Sequence, residues 1–425
     1  MTYSEVLNYL YDSLPMFQRQ GAAAFNKNLD RTILLLEHLG NPQEKFKSIH
    51  VAGTNGKGTT SHMLSSVLQS SGYKTGLYTS PHLKNFTERI RIDGIEASEA
   101  FVVDFVVSNK DFIEKVKPSF FELTVAMAFE YFAREKVDIA VIEVGMGGRL
   151  DSTNVITPLV SVITNISLDH QQYLGETLVE IAGEKAGIIK KGIPVVIGEY
   201  QASVYPVFQR KAKQMEATLF KAFELKLVGT HEKFDIKQGE NTLFKGLSTD
   251  LKGDYVLKNI LGVILCLNIL KEKYNFNISQ HTVHNGLAKV TEQTGLKGRW
   301  QKLGDKPLVI CDTGHNIEGV RLTMAQLKKL KYDQLIIIWG SVADKDVSGV
   351  LALLPTTADY IFSEPSIPRK LEASKLAVLA EKLGLKGKVV PNVNEALQLA
   401  RKSANKNDCI YIGGSTFLVA DINEI

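Results

Sequence analysis

The chain has 425 residues, more than one ordinary hydrophobic core accommodates, which points to two or three domains. Composition is globular, at 44% hydrophobic and 23% charged, and 50 basic against 46 acidic residues leave a net charge of only +4. So small an excess excludes the basic signature of a nucleic-acid or acidic-membrane binder, while it suits an enzyme of anionic substrates.

The first twenty residues carry Tyr, Asp, Ser and Pro early and do not read as a signal peptide. The longest apolar run, 257–270, is broken by Lys258 and Asn259 and is no membrane span. Cys266, Cys311 and Cys409 are odd in number, far apart and set in apolar runs, so they read as reduced core residues of a cytoplasmic protein. Amphipathic helical patterns flank a loop at 16–29.

Residues 50–60 (HVAGTNGKGTT) follow an apolar strand and precede a helical pattern. A glycine-rich turn in that setting cradles phosphate: backbone N–H groups converge, the helix N-terminus is partially positive, and Lys57 adds a full charge. The pattern departs from the usual G-x-x-x-x-G-K-[ST], with Val51 at the first glycine and Gly58 between Lys57 and Thr59. The plain alternative is a strand-to-helix turn without a ligand.

A strand is predicted at 74–78, followed by Thr79, Ser80, Pro81 and His82. A polar, basic stretch at 83–94 reads as a mobile loop and a short strand. Helices are predicted over 97–117 and 120–136. The runs 138–144 (DIAVIEV), 158–166 and 193–197 are unalternated and rich in Val and Ile, as buried parallel strands are. A polar strand-like region spans 224–250, with helices near 255–273 and 279–290. After a hinge-like 295–298 the alternation restarts. Strands are expected at 307–311, 334–339, 359–362, 387–390 and 409–412, with helices at 317–330, 347–354, 371–383 and 394–404. The predicted architecture is α/β: a doubly wound, P-loop NTPase-like N-terminal domain (1–296) and a smaller Rossmann-like C-terminal domain (297–425).

Ligands gather at the carboxyl ends of parallel strands, so the polar residues there are the candidates. Glu143 either holds Mg²⁺ against phosphates or caps the following glycine turn. His170 is a ligand or a structural histidine, and Ser80 a metal ligand or the start of a Ser-Pro turn. Lys185, in a helical stretch, reads by itself as a solvated lysine. Asp312 grips a nucleotide or caps the next helix, and Asn259 is a satisfied buried amide or a base contact.

Together these stretches resemble the Mur ligase superfamily, and within it the folylpolyglutamate synthase and dihydrofolate synthase family. The motifs run along nearly the whole chain: GTNGKGT (53–59), LYTSPH (77–82), FTERI (86–90), FEL (121–123), EVGMGGRLDSTN (143–154) and LDH (168–170). They continue with GEKAGIIKKGIPVV (183–196), GDY and KN (253–259), GR (298–299), DTGHN (312–316) and GGSTFLVA (413–420). In this family the phosphate loop has its glycine after the lysine.

The resemblance implies that Gly53, Thr54, Asn55, Gly56, Lys57, Gly58 and Thr59 hold ATP, and that Asn259, Arg299 and Asp312 contact the nucleotide, the last two from the second domain. Ser80, Glu143 and His170 match Mg²⁺-binding positions. Lys185 matches a lysine carried as its carbamate, which replaces the solvated reading and inverts the local charge. His315 matches a residue near the transferred phosphate. Phe121, Glu122, Leu123, Thr124, Asp151, Ser152 and Thr153 match pteroate-contacting segments, although Thr124 sits where the family pattern varies. The implied function is ATP-dependent ligation of L-glutamate to dihydropteroate and to the γ-carboxylate of reduced folates, through an acyl phosphate, by one bifunctional enzyme. The alternatives are a folylpolyglutamate synthase alone or a peptidoglycan-precursor ligase, whose extra N-terminal domain does not fit in 52 residues. A monomer without nucleic-acid or membrane partners is expected.

Overall fold

The structure, a computed structural model, describes residues 1–16, 28–343 and 345–425. Most of the loop expected at 16–29 lies outside the described residues. The chain divides into two units, residues 1–250 with 256–295, and residues 251–255 with 296–425.

In the first unit the strands are β1 (Lys47–Ala52), β2 (Thr75–Tyr78), β3 (Ile90–Ile92), β4 (Ile95–Glu96), β5 (Ile139–Glu143), β6 (Val160–Ile163), β7 (Val195–Ile197) and β8 (Leu219–Lys221). They form one sheet in the order β4-β3-β2-β5-β1-β6-β7-β8. It is parallel from β2 to β8, with β3 and β4 added antiparallel at one edge. The unalternated apolar runs are explained by burial on both faces: every residue of β5 and β6 is buried. A cluster around Phe129, Phe132, Val102 and Leu10 covers one region, and another around Ile163, Ile181, Val195 and Phe208 lies further along. The polar 224–250 region forms a separate antiparallel sheet of β9 (Leu225–Thr230), β10 (Lys233–Gln238) and β11 (Asn241–Leu247).

The second unit holds a six-stranded sheet, β12-β13-β17-β14-β15-β16, with β12 (Gln301–Asp305), β13 (Leu308–Cys311), β14 (Leu335–Trp339), β15 (Asp359–Phe362), β16 (Gly387–Val389) and β17 (Cys409–Gly413). Its parallel core is β13 to β16, packed around Trp339, Tyr360, Phe362 and Tyr411.

Differences from the sequence reading have local causes. The helix expected over 97–117 is two, Glu99–Ser108 and Lys110–Val116, with Asn109 between them bonding back to Phe105. β12 is largely polar, exposed at Lys302 and Asp305, nowhere fully buried and antiparallel at the sheet edge, so it carries no apolar run to announce it. All three cysteines are free and buried. Among the described residues, no helix is long and apolar enough to cross a membrane.

Candidate functional site

β1 sits between β5 and β6, so the turn that follows it opens at the point where the chain's connections diverge to the two sides of the sheet. Residues 53–56 make that turn, and the helix Lys57–Ser70 begins immediately after it. Two glycines are dictated by the geometry. Gly53 has φ +146°, and a Cβ there would lie 1.8 Å from Thr164 Oγ1. Gly56 has φ +82°, and its Cβ would lie 2.6 Å from the Asn259 amide oxygen. Asn259 therefore lies directly over the phosphate loop, which joins two stretches 200 residues apart.

The loop is held in shape by β6's downstream residues, which the sequence reading did not single out. Asn165 accepts the Asn55 N–H (3.0 Å), Thr164 Oγ1 donates to the Asn55 carbonyl (2.7 Å), and Thr54 Oγ1 accepts the Ser167 N–H (2.9 Å). The signal available was position alone: Thr164 and Asn165 close the predicted run 158–166, beyond the end of the observed strand, and Ser167 follows it. Thr60, Thr164, Asn165, Glu199 and Asn259 line a hollow beside the loop.

Two lysines converge on the loop. Lys57 Nζ donates to the carbonyls of Gly53 and Thr54, both at 3.1 Å. Lys185 Nζ, from the end of the helix Leu178–Lys185, donates to the same Gly53 carbonyl at 2.8 Å. Lys185 is buried, contrary to the solvated reading of the bare sequence. Burial, with the neighbouring Lys57 charge, pushes its pKa down to about 7, against the pull of Asp169 and Asp151. A buried amine of that pKa is substantially neutral near pH 7, the form that reacts as a nucleophile.

Glu143 ends β5 beside Val51, and its Oε2 accepts the Ser80 N–H at 3.1 Å, so those two candidates do meet. His170 initiates the short helix Gln171–Leu174 with φ +52°, and its Nε2 is 3.9 Å from Asp169 Oδ1. Among the described residues no three His, Cys, Asp or Glu side chains gather as a preformed metal cage. Magnesium does not require one, because it is commonly held by one or two carboxylates together with phosphates and water. The Thr59 hydroxyl, buried in the first turn after Lys57, has no hydrogen-bond partner within the protein. An orphaned hydroxyl in the first turn of the helix that follows the phosphate loop fits a hard divalent cation.

The pteroate candidates separate. The Phe121 ring lies against Gly145, whose Cβ would come within 2.4 Å of it. Glu122 closes a capping box with Ser119, Leu123 is in the core, and Thr124 Oγ1 donates to the Phe120 carbonyl. Asp151, also buried, accepts from the Met146 N–H (2.8 Å), the Thr153 N–H (3.0 Å) and the Thr153 hydroxyl. Thr153 in turn meets His50 Nε2 at 2.9 Å. Asp151 and Thr153 therefore brace the Gly145–Gly148 turn from within, next to buried Ser152.

In the second unit Asp312 follows β13. Its carboxylate accepts from the Tyr255 hydroxyl, the Trp300 N–H and the Gly314 N–H, each at 2.8 Å. The helix Ile317–Leu327 is capped instead by Asn316, so capping is not the role of Asp312. Arg299 donates to Thr313 Oγ1 and the Gly298 carbonyl, and His315 Nδ1 lies 3.0 Å from the Thr313 carbonyl. Arg299 thus bonds to the turn that carries Asp312 and His315, and Tyr255 is a partner the sequence reading did not single out.

A phosphate loop at the switch point of a parallel sheet, in a chain that carries a second α/β unit, defines a nucleotide-dependent ligase of the Mur type. The chain matches the Mur ligase middle domain over residues 51–267 and the Mur ligase glutamate ligase domain over residues 298–416. It is 33% identical to the folylpolyglutamate synthase of Lacticaseibacillus casei, over 100% of this chain and 98% of that protein. Its fold resembles E. coli FolC in complex with DHPP and ADP, with a TM-score of 0.87 and 29% identity, covering 99% of this chain and 96% of that one. A solved bifunctional folylpolyglutamate synthase/dihydrofolate synthase with Mn, AMPPNP and L-glutamate bound gives a TM-score of 0.84 at 28% identity, covering 99% and 97%. The chain belongs to the folylpolyglutamate synthase and dihydrofolate synthase family of Mur ligases. It is an ATP-dependent amide ligase of folate glutamylation.

Proposed function

We propose that the enzyme is bifunctional, joining L-glutamate both to dihydropteroate and to the γ-carboxylate of reduced folates. The observation that carries the chemistry is the convergence of Lys57 and Lys185 on the Gly53 carbonyl, at the end of a strand whose Val51 pairs with Glu143. A substrate carboxylate oxygen attacks the γ-phosphorus of ATP, the bond to the ADP oxygen breaks, and an acyl phosphate forms. The glutamate amine then attacks the acyl carbon, loses a proton, and phosphate leaves.

In the first step two anions must meet, and Lys57 with the loop N–H groups offsets their repulsion. Ser80, Glu143 and His170 would hold a divalent cation, which supplies charge neutralisation between the phosphates when bound. Gly53 to Thr59 and Asn259 bind and orient the nucleotide, and Arg299, Asp312 and His315 complete its contacts in the loaded enzyme. Phe121 and the turn braced by Asp151, Ser152 and Thr153 face the pterin. Lys185 acts as its carbamate: Nζ attacks CO₂, an N–C bond forms, and a proton leaves to solvent. A depressed amine pKa supports that reaction, because only the neutral form has a lone pair to use.

ADP release is to be measured with dihydropteroate or tetrahydrofolate, each with and without L-glutamate. Glutamate-dependent release with both pterins is expected. Release with tetrahydrofolate alone would assign a folylpolyglutamate synthase only, and release indifferent to glutamate would overturn ligation. Carbamylation predicts a ¹³C-carbamate resonance after equilibration with ¹³CO₂, absent in Lys185→Ala.

A further inference from the structure

The segment expected as a mobile loop carries more internal wiring than its polar composition indicates. The Thr79 N–H donates to the Arg89 carbonyl at 3.1 Å, closing residues 80–88 into a loop at its base. Its second half, Phe86–Arg89, is a buried 3₁₀ turn, with Phe86 and the Arg89 guanidinium both against the Phe120 ring, at 5.8 Å and 5.2 Å. From that anchor two side chains reach back over the first half. The buried Glu88 carboxylate accepts three consecutive backbone N–H groups, from Leu83 at 2.8 Å and from Lys84 and Asn85 at 2.9 Å. Arg89 Nε donates to His82 Nδ1, also at 2.8 Å.

Three successive N–H groups turned to one side form an anion-holding concavity, and here a side chain of the same loop fills it. A charged acceptor taking three donors away from water is far stronger than any of those bonds alone, because each is charge-assisted. The upstream end of this arm is Ser80, whose N–H is on Glu143. A nine-residue loop free to sample many conformations would not hold that register; one tied at 82, 83, 84 and 85 does, since only Pro81 separates the tied residues from Ser80.

We propose that Glu88 and Arg89 are positioning residues of the reaction: by tying residues 82–85 to the buried turn they hold Ser80 against Glu143, and so set the geometry of the cation and phosphate side of the site. This rests on the reading of Ser80 and Glu143 as cation-side residues.

Glu88→Gln is the direct test. One oxygen becomes an amide that cannot accept, and it faces N–H donors. Amide hydrogen exchange at residues 83–85 is expected to accelerate about tenfold, the worth of roughly one net hydrogen bond. In parallel the Kd for Mn²⁺, measured by electron paramagnetic resonance with ADP bound, should rise about tenfold, and kcat should fall more than the KM for tetrahydrofolate changes. His82→Phe, which removes only the acceptor of Arg89, should move the same quantities by a smaller factor and keeps the test available if the Gln variant does not fold. Faster exchange with unchanged Mn²⁺ affinity and kcat would overturn the proposal, as would unchanged exchange. Ser80→Ala separates the two readings: if it leaves Mn²⁺ affinity at the wild-type value, the assignment of Ser80 fails, whatever the arm does.

Discussion

The turn at 53–59 and the turn at 312–316 occupy equivalent places, each at the carboxyl end of a parallel strand and each leading into a helix. Their chemistry differs. In the first, the backbone is fixed from outside by Asn165, Thr164 and Ser167, which leaves the Thr59 hydroxyl without a partner and places two lysines on one carbonyl. In the second, Asp312 is itself the fixing element and takes three donors from its own unit. One turn is built to present groups to a ligand, and the other is braced by the very carboxylate the family motif highlights. A motif residue at a strand end can thus serve binding, bracing or both, and its hydrogen-bond ledger tells which.

The contrast predicts opposite profiles for the two turns. Lys57→Ala should lower kcat by about 10²- to 10³-fold, the loss expected on removing a preorganised charge from a phosphoryl-transfer site. The urea midpoint should stay near wild type, since among the described residues the lysine bonds to loop carbonyls alone. A variant that kept substantial turnover would remove Lys57 from its place. Asp312→Ala should do the reverse first, costing about 3 kcal/mol because the Tyr255 hydroxyl, the buried Trp300 N–H and the half-buried Gly314 N–H lose their acceptor. Chemical denaturation checks this, and a fully stable variant with a raised KM for ATP would show that Asp312 serves binding alone. Gly56→Ala should cost about 1–3 kcal/mol, as a left-handed backbone and the Asn259 contact both resist a Cβ. It should also raise the KM for ATP, and an unchanged value would detach Asn259 from the nucleotide.

The smallest effect concerns the strand beneath the loop. Burial, with the Lys190 charge, lowers His50 from 6.5 to about 3, so the folded protein keeps it neutral. Between those values the unfolded chain binds a proton that the folded chain refuses. Stability from this group is complete above pH 6.5 and declines as the pH falls toward 3, by at most about 1.4 kcal/mol per pH unit. Asp151, raised by its own burial, faces the same Thr153 and works in the opposite sense. The difference in acid denaturation between His50→Gln and wild type reads the histidine alone. Identical pH slopes in the two proteins would refute it.

Much of the architecture was legible because its signals are local. Unalternated runs of Val and Ile mark strands covered on both faces, and glycines interleaved with Lys57 mark a helix entry where only a residue without Cβ fits. Edge strands such as β12 escaped because half-exposed polar residues carry no periodic apolar signal. The site was legible as a roster and far less as an arrangement. Lys185 looks solvated in a helical wheel, yet its neighbours across the fold bury it; Glu122 and Thr124 look like pocket residues, yet helix N-terminal contacts engage both side chains.

By itself the sequence determined the parallel α/β class, the phosphate loop and the family, since each depends on residue type and spacing along a few turns of chain. The tertiary structure alone decided that Asn259 lies over Gly56, that Lys57 and Lys185 share the Gly53 carbonyl, and that Glu88 gathers the N–H groups of its own loop. Burial, and with it the pKa of Lys185, is a property of what surrounds a residue in space. No local pattern encodes it.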